Sequence, residues 1–176
     1  MLKSRKSNRL PDYDYSQDGY YFVTICIKNK KEYFGKVEDG KMILNKCGEI
    51  AKKCWLDLPS HYKNCILVEW IIMPNHMHGI IAIDNTAIAM VVTGLKPVTT
   101  DKQFKKYSLS EIIRGFKTFS SRCISEINPD TNFQWQRSFY DHVIRNERSL
   151  LEIRGYIQNN PIKWELDRNN PENLFM

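Results

Sequence analysis

The 176-residue chain predicts an α+β fold, an antiparallel β-sheet with helices packed on it. Three observations carry that expectation. Stretches rich in β-branched and aromatic residues alternate with stretches whose apolar residues recur at helical spacing. Most connections between them are short. The two strongest strand candidates, 65–72 and 76–83, are separated only by a bend at Pro74-Asn75, which suits an antiparallel pair. The length suits one domain spanning 1–176, long enough to bury a core.

Taken in order, residues 1–19 are basic and then tyrosine-rich, and read as an arm leading into the fold. Tyr20 to Lys28 (Tyr-Tyr-Phe-Val-Thr-Ile-Cys-Ile-Lys) has strand composition. Residues 33–37 and 41–44 flank Asp39-Gly40, a hairpin signal. In 46–58, Ile50, Cys54 and Leu58 form a helical stripe that should end before Pro59. Residues 84–106 have no clear period and read as a long mobile loop. Ser108 and Glu111 fit a capping box, opening a helix whose apolar face runs from Leu109 through Ile113, Phe116 and Cys123 to Ile127. Phe139 to Arg145 reads as a strand. A last helix begins at Glu147, with Leu150, Ile153 and Ile157 as its stripe, and stops near Asn160-Pro161 because a residue before proline resists the α conformation.

Hydrophobic residues make up 42% of the chain and charged residues 26%, ordinary values for a globular protein, and no apolar run is long enough to span a membrane. The basic start lacks a following apolar stretch and is not a secretory signal, so a cytoplasmic location is expected. Five cysteines are scattered without a C-x-x-C pair, which favours free thiols over a zinc cluster or disulfide framework. A net charge of +6 is compatible with a polyanionic partner.

Two of the four histidines, His76 and His78, interrupt the apolar run from Ile66 to Ile83. Residues i and i+2 of a strand share a face, so both imidazoles project one way and Met77 the other. Such a pair is half of a metal site; the plainer alternative is two histidines on a partly exposed strand. Tyr156 and Asn160, at i and i+4, share a face of the last helix, and the plainer alternative there is a boundary tyrosine with a wet hydroxyl. The segment from Trp135 to Arg145 interleaves aromatics with Arg137 and Arg145, a composition suited to stacking on bases beside phosphate contacts, or to a half-buried strand with a polar outer face. Arg114 and Lys117, with Arg122 nearby, form a basic helix face that would contact phosphate or simply water.

Met73-Pro-Asn-His-Met-His78, followed about eighty residues later by Tyr156-Ile-Gln-Asn-Asn-Pro161, resembles the single-tyrosine HUH transposases, and most nearly their REP-associated branch. The resemblance extends to Arg9-Leu-x-x-Tyr-Asp-Tyr-Ser, to Gly115-Phe-Lys and to Trp135-Gln-Arg with Ile144-Arg-Asn. It implies an HUH endonuclease fold with a ferredoxin-like, RRM-like core and the histidines on a central strand. It implies a divalent metal, Mg2+ or Mn2+, held by His76, His78 and Asn160, and Tyr156 as the nucleophile. It further implies cleavage and rejoining of single-stranded DNA at hairpins of palindromic repeats by a monomer or homodimer associated with the nucleoid. Arg114, Lys117, Arg122, Arg137 and Arg145 would contact the DNA. The rival readings are a non-catalytic nucleic-acid-binding module with the same fold, and a metal-dependent hydrolase, for which the sequence offers no carboxylate motif beside the histidines. If the transposase reading holds, the last helix must lie across the histidine face of its strand.

Overall fold

The computed structural model describes residues 10–86, 105–130, 132–167 and 169–170. Its strands are β1 (Gly19–Cys26), β2 (Gly35–Glu38), β3 (Lys41–Leu44), β4 (Cys65–Ile72), β5 (His76–Ile83) and β6 (Tyr140–Ile144). The helices are α1 (Lys46–Leu56), α2 (Leu58–His61), α3 (Leu109–Ile127) and α4 (Glu147–Gln158), with 3-10 turns at Lys28–Lys30 and Trp164–Leu166. Strands β4, β5, β1 and β6 form one antiparallel sheet in that order, and β2 and β3 form a separate hairpin.

The sheet is apolar on both faces, for two different reasons. One face carries Tyr21, Val23 and Ile25 of β1 with Met77 and Ile81 of β5, and meets α1 and α3 in the main core. Gly79 makes this approach possible: a Cβ there would lie 2.5 Å from the indole of Trp55, which α1 buries completely against the sheet. The opposite face carries Phe22, Ile80 and Ile144, which pack beneath Ile157, Leu150 and Ile153 of α4. Strand β5 is therefore buried along its whole length, and its odd and even positions serve separate cores.

A bulge fixes where α4 sits. The β4–β5 register shifts between Leu67 and Glu69, so Leu67 opposes Ile81 on the main-core face but Glu69 opposes Ile80 on the α4 face. Glu69 there accepts a hydrogen bond from Gln158 at 2.9 Å and pairs with Arg154 at 3.5 Å. Without the extra residue, Glu69 would point into the main core. At its start, α4 is capped by Asn146, whose side chain accepts from the Ser149 N–H at 2.8 Å.

The capping box at Ser108 and Glu111 is present, and α3 runs as expected. The 46–58 helix departs from expectation. Helix α1 ends at Leu56, and Pro59 lies in the first turn of the short α2, where its missing N–H costs no hydrogen bond. The described part of the N-terminal arm is packed rather than loose: Tyr15 is buried against Tyr21, and its carbonyl accepts from Leu109 N–H at 2.9 Å. Residues 87–104, most of the expected long loop, lie outside the described residues, as do residues 1–9 of the arm. Cys47, Cys54 and Cys65 are buried and Cys26 and Cys123 half-buried, all as free thiols. Burial pushes the Cys65 thiol up to about 12, which keeps it protonated and inert.

Candidate active site

His76 and His78 open β5 on the α4 face, and both are buried. Each imidazole is held at Nδ1. Asn75 donates through Nδ2 to the carbonyls of Lys30 and Asn169, at 2.9 and 2.7 Å. That turns its Oδ1 toward His76 Nδ1, 2.9 Å away, so His76 carries its proton on Nδ1 and keeps a lone pair on Nε2. Thr24, directly opposite His78 on β1, places Oγ1 2.9 Å from His78 Nδ1 and can accept in the same way. Flat contacts complete the clamp: Phe22 stacks on His78 at 5.6 Å, and Trp164 stacks on His76 at 5.9 Å.

The two Nε2 atoms consequently face one another at 3.0 Å. Two neutral imidazole lone pairs at that distance repel unless a proton or a cation lies between them. Adjacent ligands of an octahedral ion with bonds of about 2.1 Å are separated by about 3.0 Å, so the spacing suits chelation. Fixing the outer nitrogen by a carbonyl or hydroxyl is how metal-binding histidines are oriented.

Helix α4 brings Tyr156 to this pair. Its Oη lies 3.2 Å from His78 Nε2, and its ring meets His78 and Phe22 edge-on at 5.1 and 6.1 Å. Tyr156 is 45% exposed, although its partner is buried. One turn on, Asn160 is buried, and its amide nitrogen reaches Asp167 Oδ2 at 3.4 Å. Among the described residues, Asn160 Oδ1 is also buried and accepts no hydrogen bond, an arrangement that normally costs about 1–3 kcal/mol. A cation would satisfy it.

Asp167 is the site residue that sequence reasoning missed. With His76 and His78 it forms a group whose ligand atoms all lie within 4.8 Å of one another. The segment after α4 folds back to place it: Trp164 anchors the turn on His76, and Asp167 Oδ1 accepts from Asn169 N–H at 2.6 Å. The sequence offers no carboxylate motif beside the histidines, and the fold brings one to them from the tail. The one available signal was a tryptophan in a polar tail, a residue that has to find a core to pack on. Thr24 was legible too, as the one threonine in a strand of aromatic and aliphatic residues.

The basic residues separate. Helix α3 packs on the main-core face, so Arg114 and Arg122 lie across the sheet from the histidines, beside a groove lined by Tyr62, Tyr107 and Phe119. Lys117 is tied inward: its ammonium donates to the carbonyls of Gln136 and Ser138 at 2.9 and 3.0 Å and so braces the segment entering β6. Arg137 and Arg145 are exposed at the two ends of β6.

A buried histidine pair on a central strand, approached by a tyrosine from a helix on the same face, places the molecule in the class of HUH-fold proteins. The family model described as "Transposase IS200 like" matches residues 102–160, which include Tyr156 and Asn160. An uncharacterized protein of Haemophilus influenzae is 41% identical over 172 residues, 95% of this chain and 93% of that protein. Among solved structures, a REP-associated tyrosine transposase bound to a REP hairpin superposes with a TM-score of 0.56 and 19% identity, covering 93% of this chain and 74% of that one. Over residues 102–160 the chain is similar to the IS200-like transposase family, and its fold is that of the hairpin-bound neighbour. Among the described residues, no helix is long and apolar enough to cross a membrane.

Proposed function

We propose that this chain is a single-tyrosine transposase of the REP-associated kind, cutting and rejoining single-stranded DNA at hairpin-forming repeats. The observation that carries the reading is the 3.2 Å approach of Tyr156 Oη to His78 Nε2, made within one chain. Tyr156 Oη attacks a backbone phosphorus. The Oη–P bond forms, the P–O3′ bond breaks, and the 3′-hydroxyl leaves with a proton. The 5′ phosphate stays on the tyrosine, so its phosphodiester energy is conserved for rejoining by another 3′-hydroxyl without ATP.

A free tyrosine hydroxyl titrates near ~10 and is a poor nucleophile at neutral pH. Before an ion binds, His78 Nε2 is close enough to accept a hydrogen bond from it and orient it, with Thr24 fixing the ring; an ion would take over that lone pair and leave the hydroxyl beside the metal. The site's donors fit a divalent ion: His76 and His78 through Nε2, with Asn160 Oδ1 or an Asp167 oxygen completing the set. Bound there, Mg2+ or Mn2+ would polarise the phosphorus through a non-bridging oxygen. The likeness to a structure that holds a REP hairpin supports a hairpin substrate.

Asp167 gives a specific reason to weigh water as the nucleophile instead, since a carboxylate beside a metal can serve as its base. One experiment separates the readings. The protein is incubated with labelled stem–loop DNA bearing single-stranded tails and Mn2+, then run on a denaturing gel. The proposal expects a covalent adduct that is absent in Tyr156→Phe. Cleavage without adduct that survives Tyr156→Phe would establish hydrolysis, and binding without cleavage would establish a non-catalytic module.

A further inference from the structure

Helix α4 covers only part of its sheet face. It contacts chiefly β4 and β5 and buries Phe22 of β1 and Ile144 of β6, while the rest of that face on β1 and β6 keeps three outward rings: Tyr20 and Tyr140, each 42% exposed, and His142, also exposed. The register sets them beside the active centre. Tyr140 opposes Thr24, the residue that holds His78, and His142 opposes Phe22, which stacks on His78. Tyr140 also meets the Phe22 ring edge-on at 6.4 Å. Two inter-strand spacings, about 10 Å, separate it from β5.

Apolar and aromatic rings left open at a sheet edge cost solubility unless something covers them. Here the edge is bracketed by cations: Arg137 precedes β6 and Arg145 follows it, both exposed, and among the described residues neither forms a salt bridge. Exposed rings between cations, on the sheet face that also carries Phe22 against the half-exposed Tyr156, match the chemistry of unpaired bases joined by phosphates. Asp141, the acid between the two rings, points to the other face, since it opposes Val23 of the main core. No acidic side chain of β6 therefore faces the track.

We infer that the open β1–β6 half of the α4 face is the path of the single strand beside the scissile phosphate, with Tyr140 stacking on a flanking base, His142 next to it, and Arg137 and Arg145 on the neighbouring phosphates. This rests on the proposed DNA substrate but assigns residues that the cleavage chemistry does not need. Tyr140 and His142, two positions apart on one strand and about 6.6 Å from each other, are spaced to engage successive parts of one strand rather than a duplex.

The test uses the full chain carrying Tyr156→Phe, so that binding is read without cleavage. A stem–loop oligonucleotide bears a single-stranded tail with 2-aminopurine placed at successive positions, with Mn2+ present. The expected result is quenching at one tail position, lost in Tyr140→Ala and kept in Tyr140→Phe. Affinity for the tailed DNA, read by anisotropy, should fall about tenfold in Tyr140→Ala, with a smaller loss in His142→Ala. Affinity for the tail-less stem–loop should not change. Quenching that survives Tyr140→Ala, an equal loss on tailed and tail-less DNA, or no tail-dependent binding at all would overturn the inference. A Tyr156-dependent adduct in the unmutated chain would still stand in each of those cases, so the two proposals fail separately.

Discussion

At the residue scale the site is defined by what holds the histidines rather than by the histidines alone. Asn75 spends both amide protons on backbone carbonyls, which leaves only its oxygen for His76. Replacing it with alanine frees the ring to turn and removes the bias toward the Nδ1–H tautomer. Mn2+ binding, followed by electron paramagnetic resonance titration, should weaken about 10–100-fold in Asn75→Ala. Asp167 offers a sharper comparison, because both it and Asn160 can present an oxygen to the same ion. If both act as ligands, Asp167→Asn and Asn160→Ala should each weaken Mn2+ binding in the same titration. An unchanged affinity in one of them would assign the third ligand to the other.

At the element scale two local arrangements carry the positioning of the site. Gly79 lies between His78 and Ile80 and lets Trp55 rest against β5. Gly79→Ala forces a methyl into a closed contact, and overpacking of that kind costs about 1–3 kcal/mol, read as a lower urea midpoint. The α3 capping box is the second. Ser108→Ala should cost about 1 kcal/mol. Glu111 belongs to the same box, and the bond it accepts from the Ser108 backbone holds its carboxyl below the ordinary glutamate value. A depressed folded-state pKa means that its contribution is present above the unfolded value. That contribution is lost as pH falls through the folded value. Thermal melts from pH 6 downward should therefore show the Glu111→Gln variant and the parent chain converging in acid, with the parent more stable near neutrality.

The elements were the most legible part of the sequence, and their departures have local causes. The β5 histidine parity, the hairpin at Asp39-Gly40, the α3 cap and the stop of α4 before Asn160-Pro161 all follow from period and turn chemistry. The end of α1 was misread because proline was taken as a stop, whereas in a first turn it is a start. The bulge at Leu67–Glu69 leaves no trace in an apolar run, since either face would accept Val68. Asp167 was hidden for a different reason. Its place depends on a tail folding back onto His76, a long-range contact that no periodicity encodes.

At the scale of the whole molecule, the sheet divides the protein into two working sides. One face buries the main core under α1 and α3 and gives rigidity; the other carries the histidines, α4 and the open β6 edge. Among the described residues, Arg114 and Arg122 stand across the sheet from the histidines, and Arg137 and Arg145 are exposed at the two ends of β6. DNA affinity should therefore fall linearly on a log–log plot against salt, and Arg137→Ala and Arg145→Ala should each lower that slope by about one for single-stranded tails. Lys117→Ala should act mainly on stability, because it removes a brace from two backbone carbonyls.

The central claim is that Tyr156 becomes covalently joined to DNA under the control of the histidine pair. Its most direct test is peptide mapping by mass spectrometry after incubation with tailed stem–loop DNA and Mn2+, followed by nuclease trimming. The account predicts a nucleotide adduct on the peptide containing Tyr156, attached through a 5′ phosphate and absent from His78→Ala. An adduct on another tyrosine, or cleaved DNA with every tyrosine unmodified, would contradict it.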